Sequence, residues 1–240
     1  EGDQEEGQEV AIPGCSSTSL KTRAMANRPT RLVLGSASPR RKTLLAKAGL
    51  DFLVLPADVD ESFDPALAAE VAAVMLAERK ANAASLLAAL DLPDESPWVI
   101  GSDTLVVLGD DPTSKAPGRL PTYLGKPLDE REALSMLARL SGTTHRVVTG
   151  VAVVRRGMSP ENTTVVSSAE VTHVTMREIT EPEQRAYVDS GEWRGKAGGY
   201  AIQESADQFV DQLDGGGFDN VVGLPVALTL KLLQKAGWTA

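Results

Sequence analysis

The run Trp98-Val99-Ile100-Gly101-Ser102-Asp103-Thr104-Leu105-Val106-Val107-Leu108 constrains this chain more than any other stretch. Apolar residues broken by one polar step read as a strand buried on both faces, because a half-exposed strand would alternate. Two more strand patterns follow, over 147–154 and 165–176, with no helical pattern between them. Upstream the order differs. Arg31-Leu32-Val33-Leu34 reads as a short strand. Leu44, Leu45 and Ala48 form a helical stripe that Gly49 stops, and Phe52-Leu53-Val54-Leu55 is a second strand. Strands first alternate with helices and then run consecutively. That order mixes parallel and antiparallel pairing, so the expected class is α/β with a mixed sheet.

The remaining elements follow from spacing and caps. Asp64-Pro65 opens an Ala-rich helix to about Leu90, with Leu67, Val71, Val74 and Met75 at helical intervals. Asp129 to Leu140, Thr180 to Ser190 and Val226 to Ala236 are further helices. Glu183 stands three residues after Thr180, as in a capping box. Gly109 to Tyr123, with three prolines, reads as a loop, and so does Asp214-Gly215-Gly216-Gly217. Residues 1–29 carry acids, Gly, Ser and Thr without periodicity and read as a tail or leader. That leaves 30–240 as one domain.

Composition excludes several classes. The single cysteine, Cys15, rules out a disulfide framework and a cysteine metal knuckle. Two histidines cannot build a His-rich zinc site. No apolar run approaches the roughly 18 residues of a membrane span. The net charge of -9 opposes binding to duplex DNA or an anionic membrane. A cytoplasmic chain is expected, with neither a nucleic acid polymer nor a membrane as partner. The same charge looks awkward for a polyphosphate ligand. Five of the acids lie in the first ten residues, but three bases also lie within 1–29, so the rest of the chain stays acidic. Any polyanion site must therefore be made locally.

Gly35-Ser36-Ala37-Ser38-Pro39-Arg40-Arg41-Lys42 supplies such a site. Ser38 is a good N-cap and Pro39 suits the first helical position. Orphan amides and the helix dipole attract phosphate there, and guanidiniums match its oxygens. Cations in a first turn oppose the dipole, and an anionic ligand would compensate them. Asp103 is costly in a buried strand unless it is paired, binds metal or activates water. Asp58, Asp60 and Glu61 form an acidic knot, read either as a solvated turn or as metal ligands. Lys80 flanks the apolar stripe Ala73, Leu76, Ala77 and Ala84, where it either snorkels or serves the site. Gly125-Lys126-Pro127 is no Walker motif, because Leu120 replaces its glycine and Pro127 its hydroxyl residue. In the glycine-rich stretch Gly195 to Gln203, the glycines permit close approach to a ligand and Gln203 offers a paired donor and acceptor. His145 reads as structural or substrate-positioning. No nucleophile elbow or Ser-His-Asp pattern is present.

Together these stretches resemble the Maf family of nucleotide pyrophosphatases. The matching pieces are Leu34 to Arg41, Val59-Asp60-Glu61-Ser62, Gly101-Ser102-Asp103-Thr104, Gly125-Lys126-Pro127, Ser141 to His145, Thr149-Gly150-Val151, Gly195 to Gln203 and Val222-Gly223-Leu224-Pro225. They keep the family's order across about Arg31 to Gly237. The resemblance implies an elongated mixed α/β fold of the Maf/ITPase-like kind, with a cleft between two lobes. It implies cleavage of a nucleoside triphosphate to monophosphate and pyrophosphate, with a divalent metal such as Mg²⁺ or Mn²⁺. Carried over by position, Ser36, Arg40, Arg41, Lys80, Lys126 and Lys196 hold the polyphosphate. Asp103 is the catalytic carboxylate, as water activator or metal ligand, and Glu61 and Gln203 complete the site. The resemblance also suggests a homodimer. Arg40 stands where relatives preferring 7-methyl-GTP carry Trp, and Lys196 with Tyr200-Ala201-Ile202-Gln203 resembles the dTTP/UTP type. Glu204 departs from the family, which usually has glycine after the glutamine. A pyrophosphatase for modified nucleotides such as 7-methyl-GTP or pseudo-UTP is the alternative. A non-catalytic nucleotide-binding regulator of septum formation is a second.

Overall fold

The computed structural model describes residues 31–93, 95–109, 121–157 and 162–239. The expected tail at 1–29 and most of the expected loop at 109–123 lie outside them. The strands are β1 (Leu32–Leu34), β2 (Phe52–Val54), β3 (Trp98–Leu108), β4 (Thr122–Leu124), β5 (Thr144–Arg155), β6 (Thr164–Met176) and β7 (Val210–Gly215). The helices are α1 (Pro39–Lys47), α2 (Ala69–Asp91), α3 (Glu130–Leu140), α4 (Glu181–Ser190), α5 (Phe218–Val222) and α6 (Val226–Lys235). Two 3₁₀ turns, Ala197–Gly199 and Ser205–Phe209, lie between α4 and β7.

One seven-stranded sheet runs β2-β1-β3-β5-β6-β7, with β4 also paired to β3. The β2-β1-β3 block is parallel and every other pairing is antiparallel, so the sheet is mixed as expected. One edge of β3 is covered by β5 from Trp98 to Val107. The other edge is shared. Its first three residues pair with β1 and its last three with β4. Among the described residues, 101–105 face no strand on that edge, and Asp103 is their midpoint.

Two hydrophobic clusters lie on either side of this gap. One gathers Val106, Leu124, Leu137, Val147 and Phe209 around α3 and α4. The other gathers Leu34, Ile100, Val151, Val153 and Leu232 around β1 and α6. The long strands β3 and β5 run through both clusters, and the cleft opens between the two lobes.

Helix α2 crosses the opposite face of the sheet at very short range. A Cβ on Gly101 would meet the Ala77 carbonyl at 2.3 Å, and one on Gly150 the Ala73 carbonyl at 2.1 Å. Backbone against backbone leaves room only for Gly on the strands and Ala on the helix. Ala73, Ala77, Ala81 and Ala84 are fully buried there. The composition of α2 is therefore a packing requirement, and it brings Lys80 up to the sheet.

The structure differs from the sequence reading at three elements. The long helix begins at Ala69, not Asp64, because Asp64 makes its own turn. Its carboxylate accepts from the Ala66 N–H at 2.9 Å, and its carbonyl from Leu67 at 3.0 Å. Tyr123 belongs to β4 and not to a loop, paired with Val107. Asp214 and Gly215 belong to edge strand β7, opposite His173 and Thr172. Asp211, Gln212 and Asp214 are exposed, so β7 has too little apolar patterning to be read as a strand. Among the described residues no helix is long and apolar enough to cross a membrane.

Candidate active site

The turn from β1 into α1 is organised by its own hydroxyls. Ser38 caps α1 by accepting from the Arg41 N–H, and Pro39 opens the helix. Ser36 is buried and accepts from the Ser38 N–H at 3.3 Å. Arg41 reaches across the cleft floor. Its Nε donates to the Gly223 carbonyl at 2.8 Å, Nη1 to Ser36 Oγ at 3.2 Å and Nη2 to Thr104 Oγ1 at 3.2 Å. Thr104 shares a 3.0 Å hydrogen bond with Thr149, which donates to the Asn220 carbonyl at 2.9 Å. Gly223 has φ +121°, and a Cβ there would crowd Thr104 and Arg41 at 3.3 and 3.5 Å. Burial pulls the Arg41 guanidinium below its ordinary value, while the nearby Asp103 charge works the other way. Arginine stays ionised across accessible pH even so. The result is a fixed, partly buried cation.

Asp103 lies on the α2 face of β3 and is almost buried. Lys80 does not snorkel to solvent. Its Nζ lies 2.5 Å from Asp103 Oδ1 and 2.6 Å from Glu61 Oε1. Lys126, which is exposed, stands 3.8 Å from Glu61 Oε2. Burial pushes the Glu61 carboxyl up, but Lys80, Lys126 and Arg41 outweigh it and hold the group below its ordinary value. The acidic knot divides its labour. The Asp60 carboxylate accepts from Ser62 N–H and Oγ within its own turn. Arg79 donates to the Asp60 and Ser62 carbonyls at 3.2 and 2.7 Å, which leaves Glu61 turned toward the lysines.

The opposite wall carries the glycine-rich stretch. Gly198 N–H donates to the Gly125 carbonyl at 3.0 Å, tying that stretch to the Lys126 turn. Lys196 Nζ donates to the Glu192 carbonyl and lies 2.5 Å from Glu204 Oε2. Beneath this wall His145 is buried, with Nε2 2.7 Å from the Tyr200 hydroxyl. Burial lowers the His145 pKa to about 3, so the ring is neutral.

The nine residues that the family resemblance assigns to the site line one cleft of about 1170 Å³: Ser36, Arg40, Arg41, Glu61, Lys80, Asp103, Lys126, Lys196 and Gln203. Asp58 and Asp60 are not among its walls. Sequence reasoning missed the anchoring role of Thr104 and the Gly223 carbonyl, the Arg79 clamp and the partnership of Glu204 with Lys196. Thr104 and Gly223 lay within matching motifs and Glu204 stood out as the departure after Gln203, whereas Arg79 carried no signal.

Two carboxylates converge on one Lys80 nitrogen, and among the described residues no group of three or more His, Cys, Asp or Glu is arranged to hold a metal ion by itself. Such a sparse set of hard oxygens does not make a closed structural metal cage. It fits a cation of the Mg²⁺ or Mn²⁺ kind, which keeps several waters and shares ligands with substrate phosphates.

A family model described as "Maf-like protein" matches residues 31–236. The chain belongs to the Maf family. Relatives agree along nearly their whole length. A Moorella thermoacetica protein named dTTP/UTP pyrophosphatase is 44% identical over 210 residues, 87% of this chain and 96% of that one. A protein of the same name from Desulforamulus reducens is 40% identical over 206 residues, 86% and 96% of the two chains. Another from Myxococcus xanthus is 42% identical over 208 residues, 87% and 93%. Among solved structures, the Staphylococcus aureus Ham1 protein aligns with TM-score 0.31 and 18% identity over 60% of this chain and 72% of that one. That likeness is too slight to inform the fold.

Proposed function

We propose that this Maf-family chain is a nucleoside triphosphate pyrophosphatase. It hydrolyses dTTP and UTP to the nucleoside monophosphate and pyrophosphate, in the cytoplasm and with a divalent cation. The observation that carries the reading is the set Lys80, Asp103, Glu61 and Arg41 meeting in the gap on β3. The relatives named for this reaction, 40–44% identical, support it.

A triphosphate carries roughly four negative charges, so its hydrolysis rests on charge neutralisation and positioning. Ser36, Arg40, Arg41, Lys80 and Lys126 receive the phosphates. Arg41 is pre-organised by its three anchors, so little reorganisation accompanies binding. Asp103 and Glu61 are the residues that would hold Mg²⁺ or Mn²⁺, which when bound neutralises phosphate charge. Asp103 is held by Lys80 through Oδ1, and its second oxygen orients the attacking water and takes its proton. Lys196, also assigned to the polyphosphate by the family resemblance, lines the same cleft as Gln203 and is paired with Glu204.

A panel of dTTP, UTP, CTP, ATP, GTP and 7-methyl-GTP, with Mg²⁺ or Mn²⁺ and then with chelator, tests this. Highest kcat/KM on dTTP and UTP, lost on chelation, is expected. Equal rates on all six, or full activity in chelator, would overturn the assignment.

A further inference from the structure

Lys80 stands on a helix and Asp103 on a strand, but Glu61 has neither beneath it. Its segment runs between β2 and α2, and residues 55–64 form no regular element. Half of the Glu61 side chain is exposed. A carboxylate on such a segment keeps one place only if its backbone is tied down.

The tie comes from Arg79. Its Nη1 donates to the Asp60 carbonyl at 3.2 Å and to the Ser62 carbonyl at 2.7 Å, the residues immediately before and after Glu61. One nitrogen thus brackets the Glu61 backbone. The turn that presents both carbonyls is closed locally, because the Asp60 carboxylate accepts from Ser62 N–H at 2.9 Å and from Ser62 Oγ at 2.7 Å. The guanidinium is steadied one helical turn back, where Nη2 lies 3.6 Å from Met75 Sδ, a weak acceptor.

Arg79 and Lys80 are consecutive on α2, so their side chains leave the helix about 100° apart. Lys80 Nζ meets the Glu61 carboxylate at 2.6 Å while Arg79 holds the main chain on either side of it. Both residues come from a helix whose backbone lies against Gly101 and Gly150. Helix α2 therefore places Glu61 relative to Asp103 twice, through the carboxylate and through the main chain. Arg79 itself is exposed and is not among the cleft walls.

We propose that Arg79 is a positioning residue for the reaction: by bridging the Asp60 and Ser62 carbonyls it holds the Glu61 carboxylate at Lys80 and Asp103. Displacing a positioned group costs rate without loss of the fold. The inference rests on the pyrophosphatase reading. Wild-type turnover of UTP tests that reading separately, and amide exchange tests the tie whether or not that reading stands.

The test is Arg79→Met, which keeps the length of the stem and removes the donors. Arg79 is exposed, so the melting temperature should stay within about 2 °C of wild type. Hydrogen exchange at the Ser62 amide should quicken about five-fold or more, with exchange along β3 unchanged. The kcat for UTP should fall about ten-fold. In a Glu61→Gln background the same substitution should change kcat less than about two-fold, because no carboxylate remains to be placed. Unchanged exchange at Ser62, or a kcat within about two-fold of wild type, overturns the proposal. So does an equal loss of kcat with and without the Glu61 charge, which makes Arg79 a general support of the fold. If Arg79→Met does not fold, Arg79→Gln, too short to bridge both carbonyls, takes its place under the same expectations.

Discussion

Lys80 and Lys196 are equally buried, each with 12% of its side chain exposed, and each lies 2.5 Å from a carboxylate. Their settings differ. Lys80 stands on a 23-residue helix locked against the sheet, and it faces two carboxylates with Arg41 and Lys126 close by. Lys196 stands in a turn and faces one carboxylate, itself held by a neighbouring turn. The same ion pair therefore means different chemistry. At Lys80, acids and cations share one point on rigid elements, which suits a charged reacting group. At Lys196, one carboxylate and one backbone carbonyl hold a single ammonium within a turn, and the pair ties two turns together.

The largest effect is expected at the rigid end. Asp103→Asn removes the charge without changing volume, and kcat should fall by about 10³-fold or more with the far-UV spectrum unchanged. Activity within ten-fold of wild type would erase the distinction between the two lysines. Gly150→Ala comes next. Its new Cβ would meet the Ala73 carbonyl, so the helix must move. Thermal unfolding should show a loss of about 3 kcal/mol. Little loss would mean that α2 is not locked and Lys80 is no more fixed than Lys196. Arg41→Lys keeps the charge but cannot reproduce three anchors. A drop of about ten- to a hundred-fold in kcat/KM for UTP is expected, against a much smaller loss of stability.

The wall that carries Lys196 is tested without touching activity, through the buried His145 beneath it. His145 supports the Tyr200 turn and has a folded pKa of about 3, below the ordinary value near 6.5. The unfolded chain therefore binds a proton that the folded chain refuses. Stability from this group is complete above pH 6.5 and falls as the pH drops from there toward 3. The slope is at most about 1.4 kcal/mol per pH unit. His145→Gln should flatten that acid limb in urea titrations between pH 6 and pH 4. An unchanged slope would place the sensitivity elsewhere.

The sequence made some of these features plain and hid others for physical reasons. Asp103 stood out because a carboxylate among Ile and Val demands an explanation. The α1 cap was legible because Ser38-Pro39 acts within one turn. The pairing of Lys80 with Asp103 was not, because it depends on α2 lying against Gly101 and Gly150, a contact set by the whole sheet. Glu204 was visible as an odd residue after Gln203, but its partner lies across two turns that have no period to read. Strand β7 escaped because an exposed edge strand need not carry an apolar stripe.

The central claim is that the Asp103 cleft breaks the bond between the α and β phosphates. The direct measurement is chromatographic separation of the products of UTP treated with the wild-type chain and Mg²⁺. UMP and pyrophosphate in equal amounts, with no UDP at early times, is the predicted result. UDP with inorganic phosphate would contradict the account.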